Sequence, residues 1–364
     1  MKTTKNSLRA LALQRFKKNT SGVLSFWFIV VCGFIAIFAY LLAPDNSSNA
    51  NQMHLEIHSK KPGFEVLMLT IPPKTTNNQS FFNKILFGKK QAAVNIPIAS
   101  YNISSQTITV KTFTENNIES DIRTFPLTTF QNKDISTYIT TKKFYLGTDK
   151  YGRDLLSRML IGTRISFFIG FIAVFISLVI GISIGAIAGY FGGRIDTFIM
   201  WLINITWSIP TLLLVIAITL ALGKGYWQVF IAVGLTMWVE VARIVRGQLL
   251  STKKMQYVEA AKAMGFSNFR IIFKHILPNI LAPVIVISAA NFAGAILIES
   301  GLSFLGIGAQ PPTPSWGSMI KDHYSYIILG KAYLATIPGF AIMSLVMAFM
   351  LIGNALRDAL DVKN

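Results

Sequence analysis

Three residues of types that bind metal ions, His54, Glu56 and His58, alternate in the stretch HLEIH. On a β-strand, which the alternation favours, the three side chains would share one face and could hold a metal ion. The alternative is a solvated polar face opposite Leu55 and Ile57. We favour the polar face and predict no metal site in the chain.

Ionisable residues are few within the apolar runs, and an acid inside a membrane is a candidate for function. Glu240 and Arg243 are three residues apart and could form an ion pair on a helix. Glu299 follows the stretch NFAGAILI, at a position that we expect near the outer membrane interface. We retain Glu299 as a candidate for a structural or gating role.

Motifs for several common kinds of catalysis are absent from the sequence. It has no Gly-x-x-x-x-Gly-Lys-Ser/Thr phosphate loop, no His-Glu-x-x-His and no Gly-x-Ser-x-Gly. We therefore predict that the chain is not an enzyme, has no catalytic residues and holds no cofactor.

The elements that position these residues are predicted to be membrane helices. Hydrophobic residues make up 52% of the 364 residues and charged residues only 14%, a composition typical of membrane proteins. Apolar runs of roughly 20 residues are long enough to cross a bilayer. We predict an all-α polytopic fold with spans at about 22–43, 165–190, 198–222, 227–245, 280–297 and 332–352. The small residues of GISIGAIAG predict that the second span faces other helices.

The formal net charge is +18, and the basic residues mostly flank the apolar runs. This placement favours anchoring in lipid and membrane orientation over a nucleic-acid partner. Segment 1–21, which includes Lys2 and Lys5, and the loop after the fourth span are both rich in basic residues. With six spans these regions and the C-terminus lie on one side, which the positive-inside rule makes cytoplasmic. The first apolar run is a full span, so we predict an uncleaved anchor.

Between the first two spans, residues 44–143 are predicted to form a small inserted domain outside the cytoplasmic membrane. Alternating stretches such as FEVLMLTI and SQTITVKTF predict short strands, which makes the domain α+β. Residues 144–364 are predicted to hold the other five spans.

Segment 251–278, between the fourth and fifth spans, predicts two short helices joined by a tight turn. Ser251 or Thr252 is suited to cap a first helix through Glu259, Ala260 and Ala261, and Gly265 to end it. Ser267 is suited to cap a second helix from Asn268 to about Ile276, and Pro278 limits its length. The alanines would leave a smooth surface for another protein. The alternatives are a DNA-binding helix-turn-helix, which the two flanking spans disfavour, and a solvated amphipathic loop.

The stretch LGTDKYGRD, before the second span, combines a turn with several charges. Gly147, Thr148 and Asp149 are suited to a turn and helix cap. We predict ion pairs among Asp149, Arg153, Asp154 and Arg158 on the following helix, with a structural rather than a substrate-binding role.

Linked motifs resemble one family of membrane proteins. EAAKAMG followed by HILPN resembles the EAA loop of permease subunits of bacterial ATP-binding-cassette (ABC) importers. FYLGTDKYGRDLLSRMLIGTRIS, GYFGGRIDTFIMWLINITWSIPTLLL, ESGLSFLGIGAQPPTPSWGSMI and GNALRDALD resemble the oligopeptide/dipeptide permease C-type subunits. The resemblance covers 15–18, the first span and 144–361. The long segment before LGTD and the ending DVKN depart from the family pattern.

The resemblance implies a type I ABC permease fold in a multi-pass protein of the bacterial inner membrane. It also implies a second, homologous permease, two ATPase subunits that use ATP, and an extracytoplasmic binding protein. In the family, the EAA loop docks on the ATPase, which gives Glu259, Ala260, Ala261, Gly265, Ser267 and Pro278 a coupling role.

Di- and oligopeptides are the cargo that the resemblance implies, with nickel or peptide-like antibiotics as alternatives. A secondary transporter is a further alternative, disfavoured by the scarcity of ionisable groups in the spans. The third functional hypothesis is a membrane-embedded enzyme with a metal ion bound at His54 and His58.

Overall fold

The computed structural model of the protein describes residues 8–73, 80–89, 93–114, 120–130, 134–223 and 225–360. Lys2, Lys5 and the ending DVKN lie outside these described residues. The described chain is mostly helical, as predicted. Its α-helices are α1 Leu8–Lys18, α2 Thr20–Leu42, α3 Phe81–Phe87, α4 Leu155–Phe191, α5 Gly193–Ser208, α6 Thr211–Leu222, α7 Tyr226–Thr252, α8 Gln256–Ala263, α9 Asn268–Arg270, α10 Leu281–Phe304, α11 Trp316–His323 and α12 Tyr333–Leu360.

Within the described residues, five helices are long and apolar enough to cross a membrane: α2, α4, α7, α10 and α12. The bent pair α5–α6 raises the number to six if it is counted as one span. Several of these helices are longer than the predicted spans. For example, α4 begins ten residues before the predicted start at 165, with the mixed polar and apolar segment LLSRMLIGTR.

The predicted continuous span 198–222 is wrong, because the helix is broken after Ser208. Helices α5 and α6 meet at an angle of 91°. Pro210 has no backbone N–H, and the residue before a proline is driven out of the helical region. Ile209 accordingly has extended dihedral angles, φ −90° and ψ 127°. An ion pair holds α5 against α7, with 2.7 Å between Nη2 of Arg246 and Oδ2 of Asp196.

Glycines spaced four residues apart allow α4 and α7 to approach closely. A Cβ atom at Gly181, Gly185 or Gly189 would overlap with α7. The atoms that it would meet belong to Trp238, Val241, Ala242, Val245, Arg246 and Leu249. The prediction that GISIGAIAG faces other helices is thus confirmed for these three positions.

A five-stranded antiparallel sheet lies between α2 and α4 in the sequence. Its strands are β1 Phe64–Ile71, β2 Val94–Ile103, β3 Thr107–Thr112, β4 Ile122–Pro126 and β5 Ile139–Phe144, in the order β4-β3-β2-β1-β5. Leu69, Ile98 and Ile108 are in its buried core. The strands predicted from FEVLMLTI and SQTITVKTF are confirmed, and the sheet with α3 agrees with the predicted α+β character. The side of the membrane on which it lies stays a prediction.

The chain divides into two compact units. One comprises the described residues before Gly33, Ser166–Gly308 and the residues from Ala341 onward. The other comprises Gly33–Ile165 and Ala309–Phe340. Helices α5 to α10 belong to the first unit, and the sheet belongs to the second.

Candidate functional site

The first helix of segment 251–278 begins later than predicted. Helix α7 continues through Ser251 and Thr252, so neither residue caps α8, and that prediction is wrong. The Ser251 hydroxyl instead donates to the carbonyl oxygen of Gln248 at 2.9 Å, a bond that a serine makes inside a helix. Met255 occupies the N-cap position of α8 without a side-chain hydrogen bond.

Gly265 ends α8, as predicted. Its φ of +73° lies in the left-handed region that favours glycine. Its N–H donates to the carbonyl oxygen of Lys262 at 2.9 Å, and the N–H of Phe266 donates to that of Ala261 at 3.2 Å. These two bonds form a Schellman motif, which satisfies the last carbonyls of the helix.

Ser267 begins the second helix, also as predicted. Its Oγ accepts a hydrogen bond from the N–H of Arg270 at 3.4 Å. The helix starts as α9 and continues as a π-helical stretch, Ile271–Ile276, which was not predicted. Pro278 lies in a short 3₁₀ turn, Leu277–Asn279, so the helical run ends near the predicted residue Ile276.

The inner side of this helix pair belongs to the core of the membrane helices. Val258 and Ala261 of α8, with Ile271, Ile272 and Ile276, are at most 7% exposed. They share one buried cluster with residues of the other helices, Ala186, Val241, Val245, Leu249 and Val284. Because side chains in such a core are closely packed, a force on the helix pair acts directly on α7 and α4.

The outer side carries large apolar side chains in contact with solvent. We call the five residues Met255, Tyr257, Met264, Phe269 and Phe273 the exposed apolar set; they are between 41% and 70% exposed. Glu259 and Ala260 are also exposed, whereas Ala261 faces the core. Phe269 and Phe273 lie together, with ring centroids 4.3 Å apart, and exposed apolar side chains that lie together mark a surface for interaction with a protein or a membrane.

Arg153 of the LGTDKYGRD loop and Arg158 of α4 both pair with Asp149. Its carboxylate lies 2.6 Å from Nε of Arg153 and 3.7 Å from Nε of Arg158, and all three side chains are buried. Asp149 also accepts the N–H groups of Tyr151 and Arg153. Of the four residues predicted to pair on the helix, Asp149, Arg153 and Asp154 lie in the loop before α4, so that placement is corrected.

Asp154 does not join these pairs; it hydrogen-bonds to the Ser157 hydroxyl at the start of α4. Burial raises the pKa of Asp154 above its ordinary value. The buried ring of His323 contacts the same loop at Lys150: its Nε2 accepts the Lys150 N–H at 3.3 Å, and its Nδ1 is 2.7 Å from the Met319 carbonyl oxygen. Burial lowers the pKa of His323.

Glu299 lies near the end of α10 and is 1% exposed. The hydroxyl of Ser303 donates to its Oε1 at 2.6 Å. An acid buried and hydrogen-bonded within one helix fits the structural role among those predicted.

The predicted pair of Glu240 and Arg243 does not form. The Arg243 guanidinium instead lies 3.7 Å from the ring centroid of Trp207. Glu240 lines a cavity of about 290 Å³ together with Asn291, a buried residue that no sequence motif includes. An amide inside the apolar run ISAANFAGAILI was the available signal.

The stretch HLEIH is not a strand, so the predicted polar face is wrong. Residues Leu55–Ile57 form a 3₁₀ turn, in which His54 is 8% exposed and Leu55 is 64% exposed. His54 donates its N–H to Tyr151 O, which holds the turn against the LGTDKYGRD loop. In the part of the chain that the structure describes, no three His, Cys, Asp or Glu residues are grouped as metal ligands.

The chain is similar to curated permeases over more than half its length. It is 43% identical over 219 residues to the dipeptide transport system permease protein DppC of Alkalihalophilus pseudofirmus, covering 60% of this chain and 72% of the relative. It is 43% identical over 220 residues to the oligopeptide transport system permease protein OppC of Escherichia coli K12, covering 60% of this chain and 72% of that relative. A chain of the MetNI methionine ABC transporter, in an inward-facing conformation, matches with 20% identity and a TM-score of 0.46, covering 56% of this chain and 96% of that one.

Two families match the sequence. Residues 7–62 match the N-terminal transmembrane domain of oligopeptide transport permease C. Residues 181–363, which include the helix pair and the cavity, match the binding-protein-dependent transport system inner membrane component. The chain, a multi-pass protein of the inner membrane, therefore belongs to the family of binding-protein-dependent transport system inner membrane components.

Proposed function

We propose that the chain is one permease subunit of an ABC importer for di- and oligopeptides. It forms the translocation pathway with a homologous second permease and receives cargo from an extracytoplasmic binding protein. Two separate ATPase subunits bind and hydrolyse ATP. The peptide cargo is supported by the names of its relatives, which are dipeptide and oligopeptide permeases.

The observation that carries this proposal is the two-sided helix pair. The exposed apolar set is the surface that docks on an ATPase, and the buried side is part of the core of α4, α7 and α10. A displacement of the docked ATPase therefore moves the membrane helices as well. Gly265 and Ser267 fix the angle between the two helices, which makes them positioning residues.

The orientation follows from the same docking. If the helix pair meets an ATPase, it lies in the cytoplasm with both chain termini, and the sheet lies outside. Basic residues on the helix pair, such as Lys262, Arg270 and Lys274, agree with the positive-inside rule.

The transport cycle needs no chemical step by this chain. ATP and the loaded binding protein each bind one conformation of the permease pair more tightly than the other. This differential affinity switches the pathway between inward- and outward-facing states. The work comes from the ATPases, and this chain transmits it.

A matched pair of exposed phenylalanines tests the docking surface. Phe269 on α9 is 70% exposed and Phe82 on α3 is 74% exposed. An aspartate at either position costs little folding energy, because neither side chain is buried. The variants are compared in membranes that contain the complete transporter. Phe269→Asp is expected to reduce both the co-purification of the ATPases and the uptake of peptide by about tenfold or more, as expected for loss of an interface hot spot. Phe82→Asp is expected to leave co-purification unchanged.

Normal ATPase recovery and uptake with Phe269→Asp would contradict the docking role. Absence of peptide uptake by the wild-type transporter, with ATPases bound, would contradict the cargo and leave the docking role standing.

A further inference from the structure

The cavity in the first compact unit is built from four helices. Its volume of about 290 Å³ is lined by Thr206 of α5, Thr211 of α6, Glu240 of α7 and Asn291 of α10, together with Trp207. Polar residues are thus brought together where four membrane helices meet. Non-helical backbone at membrane depth is tolerated where it lines a cavity, and the break between α5 and α6 lies beside this one.

Glu240 places an acid at the middle of a membrane helix. It is the fifteenth of the 27 residues of α7, so each end is roughly 20 Å away along the axis. No lysine, arginine or histidine among the described residues forms an ion pair with it. Arg243, the nearest candidate along the helix, lies on the ring of Trp207. The Glu240 side chain is exposed and lines the cavity without an ion-pair partner in the described chain, so the cavity presents a carboxylate to a cationic ligand.

Asn291 is a second polar residue of the cavity whose side chain is not fully hydrogen-bonded by the described residues. Its side chain is 2% exposed, and its amide nitrogen has no hydrogen-bond partner among the described residues. Leaving a buried donor unpaired costs about 1–3 kcal/mol. A ligand that fills the cavity and carries a carbonyl oxygen would remove this cost.

We infer that the cavity binds the amino-terminal end of a peptide during its passage through the membrane. Glu240 pairs with the α-ammonium group, and the Asn291 amide donates to the first peptide carbonyl. The inference rests on the proposed function, since it assigns the cargo's ammonium and carbonyl groups to residues of this subunit. The cavity is near the lower limit of about 300 Å³ for ligand pockets, so it admits one end of a peptide and not a whole oligopeptide.

Binding to the purified full-length chain in lipid nanodiscs tests the site without the binding protein, which has its own specificity. The probes are trialanine and N-acetyltrialanine, which differ in the ammonium group, and affinity is measured by calorimetry. The wild-type chain is expected to bind trialanine at least about tenfold more tightly, the size of a charge-assisted hydrogen bond. Glu240→Gln is expected to remove this preference, and Asn291→Ala to weaken the binding of both probes. Glu65→Gln, the same type of change at an exposed position of β1, is expected to have no effect.

Equal affinity of the wild-type chain for the two probes, or no saturable binding of trialanine, would overturn the inference. This comparison uses only the wild-type chain, so it tests the inference even if Glu240→Gln fails to fold. ATP-driven uptake of trialanine by the complete transporter is measured in parallel. Uptake without ammonium-selective binding by this chain overturns the inference alone, whereas absence of uptake counts against the proposed cargo.

Discussion

The hydroxyl of Tyr190 donates a hydrogen bond of 2.8 Å to the side-chain oxygen of Asn268. The last turn of α4 is thereby joined to the first residue of α9, on the solvent side of the buried cluster. Lys262 also lies over the Tyr190 ring, 5.7 Å from its centroid. Tyr190 is therefore a direct link between a membrane helix and the helix pair.

Removal of this link should loosen coupling without releasing the ATPases. Tyr190→Phe keeps the ring but removes a hydrogen bond with a net value of about 0.5–1.5 kcal/mol. We expect the amount of peptide imported per ATP hydrolysed to fall by roughly two- to tenfold, as that range of free energy implies. Uptake and ATP hydrolysis are measured together in proteoliposomes. The control is Tyr145→Phe, an exposed tyrosine after β5, and an unchanged ratio in Tyr190→Phe would rule out the coupling role.

Gly265 can be tested against a second glycine with the same kind of backbone. Gly265 and Gly63 have φ values of +73° and +84°, and in both cases a Cβ would meet no atom within 4 Å. Alanine at either site should therefore cost about 1 kcal/mol of stability, from backbone strain alone. Only Gly265→Ala should also reduce peptide uptake per ATP. Gly265→Pro, which cannot donate to Lys262, should abolish uptake, so full transport by that variant would refute the role of the turn.

The close approach of α4 and α7 predicts opposite effects for one substitution at two glycines. A Cβ at Gly185 would overlap with backbone atoms of Ala242, whereas a Cβ at Gly247 meets nothing within 4 Å. Gly185→Ala should destabilise the protein by about 1–3 kcal/mol, as expected for overpacking. Gly247→Ala should be neutral or stabilising by up to about 1 kcal/mol, because alanine favours a helix. Thermal unfolding in detergent measures both, and equal shifts would contradict the observed packing.

The ion pairs around Asp149 should contribute more to stability than the exposed pair of Glu65 and Lys143 on the sheet. Asp149→Asn would leave two buried arginines without their shared carboxylate, at an expected cost of about 3–5 kcal/mol. The control, Glu65→Gln, breaks an exposed pair with Lys143, which is worth at most about 1 kcal/mol. Yield and thermal unfolding of the two variants give the comparison. If Asp149→Asn were as stable as the control, the structural role of the LGTDKYGRD loop would be wrong.

His323 predicts a loss of stability in mild acid. Burial lowers its pKa below the ordinary value of 6.5, so the unfolded chain takes up a proton at higher pH than the folded chain does. The free energy of unfolding should therefore decrease as the pH falls below about 6.5, until the folded protein is protonated as well. His323→Gln should reduce this dependence of the free energy of unfolding on pH. Thermal unfolding is measured between pH 7.5 and pH 5, a range of about 2.5 units around the ordinary pKa of histidine. Parallel curves for the wild type and the variant would contradict it, and His58→Gln, at an exposed position, serves as the control.

Local signals in the sequence predicted the turn between the two short helices. Gly265 and Ser267 act within five residues of chain, through a left-handed backbone and a side-chain cap. Their effect depends little on the rest of the protein. The start of α8 was not predicted correctly. Ser251 is a residue type suited to an N-cap, and only the length of α7, which runs through Thr252, excludes it as the cap of α8.

Two kinds of feature were not predicted: a local break within an apolar run, and features that depend on distant residues. The break before Pro210 was overlooked because the apolar run continues on both sides of it. The cavity needs Glu240 and Asn291, which are 51 residues apart in the sequence, to line one space. The HLEIH turn is held by a hydrogen bond from His54 to Tyr151, whereas its alternating letters favoured a strand.

The right-angled break between α5 and α6 has a consequence for how the protein enters the membrane. With 16 and 12 residues, the two helices are roughly 24 Å and 18 Å long, so neither alone crosses a hydrocarbon core of about 30 Å. During synthesis, neither segment has the length of an independent insertion signal. Helix α7, which contacts both and pairs with Asp196 through Arg246, follows them in the sequence. We therefore expect the bent pair to reach its final depth together with α7, after α7 has emerged from the ribosome.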